Sequence, residues 1–322
     1  MKAMVVTHYG PPEVLEIQEV EKPSPANDEI LIKVHATTVG PTDWHFRLGS
    51  PFLARILAGG LRKPKVNILG FDVSGSIAEI GSNVDQFETG DEVYGLAAFG
   101  KNGANAEYIC VPATNVSMKP TSMTHEEAAG IPSGAGVSLI FLRSAGIRAG
   151  QHVLINGASG GLGIFGVQLA KHFGAEVTGV CSTGNIEMVR SLGADHVIDY
   201  NKQDFTKDEP TYDLIYDAVG KRSYKECQAV LKPKGTYITT WASINIFLNS
   251  MWTLMYGSKR AKYTMPKIGP EEIRYFDGLV QAGKLKTIVD RVYPLEELRA
   301  AHEYSEAGHA KGRIIIRVTG NE

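Results

Sequence analysis

One stretch limits the folds open to this chain more than any other: VLINGASGGLGIFGVQLAKHFGA, residues Val153 to Ala175. Strand residues run into a glycine-rich turn, after which the apolar spacing becomes helical. Gly157, Gly160, Gly161, Gly163 and Gly166 stand where a helix begins, although glycine costs roughly 1 kcal/mol against alanine inside a helix. A dinucleotide-binding turn explains the missing side chains. Ala158, Gly160 and Gly163 fill its three small positions. Gly160 lets the backbone approach a diphosphate, and Gly163 lets the helix lie close on the strand. The free N–H groups of the first helical turn then point at the phosphates, with the helix dipole behind them. A plain tight turn is the alternative. The strand before, the helix after and the next strand, EVTGVC, favour the cofactor site.

Composition sets the frame around this unit. The chain has 322 residues, 43% hydrophobic and 21% charged, enough for a sizeable core and two domains. A net charge of −2 gives no overall field toward nucleic acid or membrane, so neither is an expected partner. Cys110, Cys181 and Cys227 are scattered, which builds neither a disulfide framework nor a zinc cluster. The start, MKAMVVTHYG, reads as strand and turn rather than a signal segment. Ile244 to Tyr256 is apolar but holds Asn245, Asn249 and Ser250, and is too short to span a bilayer. The expectation is a soluble protein of a reducing compartment, the cytoplasm.

Residues 1 to about 120 are strand-rich, as in AMVVT and EILIKVHATTV, and are cut by Pro11, Pro12, Pro23 and Pro25. The rhythm changes near Ser122. Thr124 and Glu127 form a capping-box pattern, and strands then alternate with helices, which argues for parallel pairing through right-handed crossovers. The tail returns to strand, helix, strand and is expected to fold back on the first block. The expected domains are 1–121 with 284–322, and 122–283.

The strand after the turn bears on the cofactor. An NAD site usually carries Asp or Glu about 20 residues on. Here the strand ends in Cys181, Ser182, Thr183, Gly184 and Asn185. No carboxylate on this loop repels a 2′-phosphate, and Ser182 and Thr183 can donate to one, so NADPH is expected over NADH. Lys311, Arg313 and Arg190 are candidates to supply positive charge. Helix capping is the other use for Ser182 and Thr183.

Several motifs together resemble the medium-chain dehydrogenase/reductase superfamily, in its zinc-free quinone oxidoreductase branch. They are TVGPTDWHFRLG (38–49), ILGFDVSGSIAEIG (68–81), FETGDEVYG (87–95), AEYICVP (106–112), the ASGGLG turn, LGADHVIDY (192–200), YDLIYDAVG (212–220), LKPKGTYITT (231–240) and EAGHAKGRIII (306–316). The resemblance implies an α/β protein: a GroES-like, partly open β-barrel catalytic domain made from both chain ends, plus a six-stranded parallel Rossmann domain. It also implies a cleft holding nicotinamide and substrate, and a homodimer paired through the edge strand near AKYTM.

Zinc alcohol dehydrogenases of this superfamily carry a Cys ligand near the first motif and Gly-His-Glu at the second. This chain has Gly40, Pro41, Thr42 and Asp43 at one and Gly70, Phe71 and Asp72 at the other. No zinc is therefore expected, and His8, His35, His45, His125 and His152 are isolated in the sequence. Without a metal to polarise a carbonyl, a conjugated acceptor is the better fit, because its own π-system spreads the incoming charge. The expected reaction moves hydride from NADPH to a quinone or an α,β-unsaturated carbonyl.

Carried over by the resemblance, Ala158, Ser159, Gly160, Gly161, Leu162 and Gly163 contact the diphosphate. Ser182, Thr183, Asn185 and Tyr200 surround the adenosine ribose phosphate, and Ala218, Val219 and Gly220 pass under the nicotinamide ribose. Thr42 and Asp43 sit beside the nicotinamide, although Asp43 serves equally as a turn or capping residue and Tyr200 as strand packing. Relatives with a basic residue in the cofactor turn differ from Gly184 and Asn185 here. Others place Thr near the nicotinamide where this chain has Gly136, Val137 and Ser138, so Ser138 is the candidate replacement. Trp241, Phe247, Trp252, Met255 and Tyr256 form either the substrate wall, with Tyr256 a candidate proton donor, or core or subunit-interface packing. The competing function is an NADPH-binding protein with little turnover that acts as a partner- or RNA-binding module. Its only sequence support is two short basic runs, Arg62, Lys63, Lys65 and Lys259, Arg260, Lys262.

Overall fold

A computed structural model of the chain describes residues 1–50, 52–57, 60–98, 100–209 and 211–318. It contains two compact units. One comprises Met1–Ser133, Gly269–Gln281 and Lys286–Glu322; the other comprises Gly134–Ile268 and Ala282–Leu285.

The first unit is built on one long strand, Glu29–Val39. Its apolar residues, Ile30, Ile32 and Val34, alternate toward a core that includes Val73, Val93 and Val111. The sheet runs in the order Val289–Pro294, Arg313–Arg317, Glu29–Val39, Asp72–Ile80, Glu92–Leu96 and Val116–Met118, with Tyr108–Pro112 also joining Glu29–Val39. Ile315 pairs with Thr38 across the ladder, so the C-terminal strand completes a sheet begun near the N-terminus. The result is a GroES-like, incompletely closed barrel.

The units divide elsewhere than the expected 121/122 and 283/284. The helices His125–Ala129 and Pro270–Gln281 belong to the β-rich unit, because their polar side chains are bound to its strands. His125 Nδ1 lies 2.8 Å from Ser74 Oγ. Tyr94 and Ser117 donate to the Asp277 carboxylate at 2.6 and 2.8 Å. Thr124 and Glu127 form the anticipated capping box.

The second unit holds six strands: β1 (His152–Asn156), β2 (Glu176–Cys181), β3 (His196–Asp199), β4 (Tyr212–Asp217), β5 (Leu231–Thr239) and β6 (Arg260–Lys262). They lie in the order β3-β2-β1-β4-β5-β6, all parallel. The helices used below are α1 (Pro132–Ala145), α2 (Gly163–His172), α3 (Ile186–Ser191) and α4 (Ile244–Tyr256). The chain leaves β1 toward β3, then returns to β4 on the other side of β1. That reversal is a topological switch point, and the carboxyl ends of the strands beside it are where ligands bind in such sheets. A single helical turn, Tyr224–Cys227, capped by Ser223 and Glu226, follows β4.

Candidate functional site

The glycine-rich turn lies at the carboxyl end of β1, at the switch point. Gly157 adopts a left-handed backbone, φ +78°, which favours glycine. A Cβ there would also stand 2.4 Å from Val219 Cγ1. A Cβ on Gly163 would reach within 2.0 Å of the Gly157 carbonyl oxygen, so this glycine lets α2 close on the turn. Gly160 is different. A Cβ there would meet nothing nearer than the Gly157 oxygen at 3.4 Å, and its φ is not in the left-handed region. The fold therefore does not itself require a glycine at 160. Among the described residues, no acceptor is found for the N–H groups of Gly161 and Leu162. The turn thus joins open space to unspent main-chain donors at a helix start, which suits a diphosphate.

Neighbouring side chains hold this turn in place. Ser138, fully buried on α1, donates to the Leu162 carbonyl at 2.9 Å. Its hydroxyl also lies 3.4 Å from the buried Tyr216 hydroxyl. Ser138 was expected beside the nicotinamide; in the structure it is a buried strut for the turn. Asn185 donates to Ser159 Oγ at 3.1 Å and to Ser182 Oγ at 3.0 Å, tying the turn to the end of β2. Ala158 donates its N–H to the Val180 carbonyl at 2.9 Å.

A carboxylate that sequence reasoning passed over stands beside the expected ribose-phosphate loop. β3 pairs with β2 so that Asp199 faces Cys181, and Thr183 donates to Asp199 at 2.6 Å. That bond, more than any other effect, holds the Asp199 carboxyl below its usual range. Thr183 therefore has its proton engaged. Ser182, whose oxygen accepts from Asn185, keeps its own. Tyr200 is more than half exposed, so it does not serve as strand packing. Two expected sources of charge are committed elsewhere. Arg190 pairs with Glu187 at 2.8 Å, and Arg313 is buried in the β-rich unit, against Asp72 at 2.5 Å, Ser133 Oγ at 2.9 Å and Thr38 Oγ1 at 3.0 Å. Lys311 is exposed in that same unit, with its backbone N–H on Asp290.

The loop after β4 is held by another carboxylate that the sequence did not single out. Asp217, fully buried, accepts from the backbone N–H groups of Gly220 and Arg222 at 3.1 and 3.0 Å and from Asn156 Nδ2 at 2.9 Å. Burial raises its pKa. Gly220 sits at φ +66°, and a Cβ there would meet Trp241 Cβ at 2.6 Å. Ala218 donates to the Asn156 carbonyl at 3.1 Å. Ala218, Val219 and Gly220 are thus brought against the glycine-rich turn. The signal in hindsight is an Asp closing a strand just before Ala-Val-Gly.

Thr42 and Asp43 belong to the β-rich unit. Thr42 is exposed. Asp43 is the capping residue: its Oδ2 accepts from Gly40 N–H at 2.9 Å and its Oδ1 from Gly70 N–H at 3.2 Å. Burial pushes its pKa up to about 7 against these bonds. The Asp72 carboxylate is taken by Arg313, Thr38 and Ser133. These two segments thus offer two engaged carboxylates and no thiolate or imidazole, a donor set that does not fit zinc. His35 and His125, separate in sequence, stack at 4.3 Å, with burial lowering both pKa values. Among the described residues, no group of three His, Cys, Asp or Glu converges as a metal site.

Tyr256 and its neighbours Trp252 and Met255 are exposed on α4. Tyr256 touches Trp252, ring centroids 5.0 Å apart. It has no buried surroundings that would make it a poised proton donor. The edge strand expected to pair with a second copy is also covered. Thr253 Oγ1 accepts from Ala261 N–H at 3.0 Å, and Ser250 Oγ donates to the Ala261 carbonyl at 2.9 Å. Pairing through β6 would have to displace both.

Comparison with known proteins bears on this geometry. A family profile described as an alcohol dehydrogenase GroES-like domain matches residues 26–121, and one described as a zinc-binding dehydrogenase matches 192–316. The chain is 33% identical to the mitochondrial NAD(P)H oxidoreductase RTN4IP1 of Mus musculus, across 99% of this chain and 89% of that protein. It is 32% identical to a 2-methylene-furan-3-one reductase of Solanum lycopersicum, across 98% of this chain and 79% of that one. Among solved structures, a quinone oxidoreductase of Coxiella burnetii superposes with a TM-score of 0.88 at 31% identity, covering 99% of both chains.

Proposed function

Because the chain belongs to the medium-chain dehydrogenase/reductase superfamily, in its quinone oxidoreductase-like branch, we propose that it is a zinc-independent, NADPH-dependent reductase of quinones or α,β-unsaturated carbonyls. The observation that carries this reading is Gly160. Gly157 and Gly163 are demanded by the chain's own packing, whereas Gly160 leaves open a space that the fold does not use. A diphosphate fits that space, with the Gly161 and Leu162 N–H groups as donors.

When bound, the nicotinamide supplies a hydride to the acceptor, and a proton from water completes the reduction. The protein's own part is binding and orientation. Ser138 and Asn185 fix the turn that receives the diphosphate. Asp217 fixes residues 218–220 beside it. Ser182 is the remaining hydroxyl donor for a 2′-phosphate, and the loop Ser182–Asn185 carries no acid. Asp199 opposes that preference, so the NADPH-over-NADH ratio is modest. A conjugated acceptor is supported by the similarity to a 2-methylene-furan-3-one reductase and a quinone oxidoreductase and by a donor set at Asp43 and Asp72 that offers no Lewis acid a seat.

The test is a titration with NADPH and NADH, followed by oxidation assays with quinones, enones and nitro compounds, with and without a chelator. Turnover with a quinone or enone that a chelator leaves unchanged supports the reading. Tight NADPH binding with no acceptor able to oxidise it would instead favour a cofactor-binding module without turnover.

A further inference from the structure

The helix His125–Ala129 is joined to the sheet of the β-rich unit by a pair of histidines. The rings of His35 and His125 lie 4.3 Å apart and nearly parallel, at 14°. His35 belongs to the long strand Glu29–Val39, and its Nε2 lies 3.3 Å from Ser76 Oγ. His125 stands between two partners, Ser74 Oγ at Nδ1 (2.8 Å) and Glu92 at Nε2 (3.3 Å). Ser74 spends its own proton on the Val93 carbonyl at 3.0 Å. His125 Nδ1 therefore carries the hydrogen, and Nε2 of the neutral ring turns a lone pair toward the Glu92 carboxylate. That nitrogen takes the first proton. A second proton would have to enter a ring stacked on a cation, and like charges this close in a half-buried place repel.

The surrounding charges do not relieve that repulsion. Lys119 takes the other Glu92 oxygen at 3.0 Å, and Lys33, on the same strand as His35, opposes a proton there. Glu126 is paired with Arg317 at 3.0 Å, and Glu127 accepts from the Thr124 N–H at 3.0 Å. Asp72 is paired with Arg313. Asp290 is taken by Tyr304 and the Lys311 N–H, and Arg291 lies over the Tyr304 ring. Burial favours the neutral ring at both histidines. The other anchors of this five-residue helix are few. Ala129 packs on Ala36 and Ile315, and Thr287 donates to the Glu127 carbonyl at 2.6 Å. Tethers lie beyond both its ends: Lys119 donates to the Met123 carbonyl at 2.8 Å, and the Ser133 N–H to Asp72 at 2.7 Å.

We propose that the His35–His125 stack is an acid-released latch: it takes one proton and stays closed, and the second proton frees the helix His125–Ala129 from the sheet. The two rings titrate as one coupled pair, with the first proton shared toward Glu92. In the open state both are ordinary histidines that charge near about pH 6.5. The closed state binds fewer protons than the open one. Its advantage is therefore complete above about pH 6.5 and is lost as pH falls below it. Because the tethers at Lys119 and Ser133 lie outside the helix, opening is local and leaves the sheet intact. The inference holds whichever acceptor the protein reduces.

Amide hydrogen exchange of the full chain across a pH series, corrected for the intrinsic pH dependence of exchange, tests it. The reporters are Ala128, Gly130 and Ile131, whose N–H groups bond the Thr124, Glu127 and Ala128 carbonyls. Their opening equilibrium should rise about tenfold between about pH 6 and about pH 5, for the one proton the closed stack refuses. Amides of the strand Glu29–Val39 should stay protected throughout. His35→Gln leaves His125 beside Glu92 with room for its single proton, so the rise should shrink to about threefold or less. Adding His125→Gln should remove it. Protection of the same strand at the native level shows that both variants fold. Three results would overturn the proposal: a native opening equilibrium that is flat across that interval, a double variant as steep as the native chain, or loss of strand protection in step with the helix.

Discussion

Two regions carry the sequence's strongest hints of chemistry, and they resolve in opposite ways. In the turn 157–163, glycines leave main-chain donors and space without protein partners. In the segments 40–43 and 70–72, every carboxylate oxygen is occupied: Asp43 by two backbone N–H groups, and Asp72 by Arg313, Thr38, Ser133 and the Ser133 N–H. Both regions are polar and partly or fully buried. The difference lies in whether the hydrogen-bonding capacity has been spent inside the fold. Spent capacity stabilises; unspent capacity in a concave place waits for a ligand.

The largest expected effect falls on the spent side. Arg313→Leu leaves Asp72 buried without its cation, which should cost about 3–5 kcal/mol of stability in chemical denaturation. A loss below about 1 kcal/mol would mean that the cluster is open to water. Next comes the pH profile. Burial raises the Asp43 pKa from 3.8 to about 7. A group raised in the folded state contributes stability that is complete below about pH 4 and lost as pH rises through about 7. Asp43→Asn cannot ionise, so the stability of the native protein relative to this variant should fall across that window. A flat difference would show that the two backbone donors dominate.

On the unspent side, Gly160→Val should leave the melting temperature nearly unchanged, because a Cβ there meets only ordinary contacts. Its affinity for NADPH should fall about a hundredfold or more, two charge-assisted bonds being worth roughly 1.5–3 kcal/mol each. Retained affinity in calorimetry would place the diphosphate elsewhere. The smallest effect belongs to the loop. A Cβ on Gly184 meets no atom within 4 Å, so Gly184→Arg should be tolerated and should tighten NADPH relative to NADH by about tenfold, the value of one charge-assisted contact to a phosphate.

The parallel sheet, its switch point and the turn were legible because their signals are local. A strand, a run of glycines and a helical spacing lie within 23 consecutive residues, Val153–Ala175. Asp199 was missed because it is 16 residues from Thr183 along the chain and meets it only through the parallel β2–β3 pairing. Arg313 was misassigned for the same kind of reason. Its partner Asp72 is 241 residues away, and a buried ion pair leaves no local trace in sequence. Ser138 read as a possible contact by motif position, yet it faces the Leu162 carbonyl rather than open space. The outward side of α4 was read as either a substrate wall or packing because periodicity shows that a face is apolar, and not which way it points.

The central claim is that main-chain donors at the start of α2 hold a diphosphate. Amide nitrogen and proton shifts of the isotopically labelled protein, followed as NADPH is added, test it most directly. The account predicts saturable changes at Gly161 and Leu162, with the proton resonances moving downfield as hydrogen bonds form. Saturation of the protein with NADPH while those two resonances stay in place would contradict it.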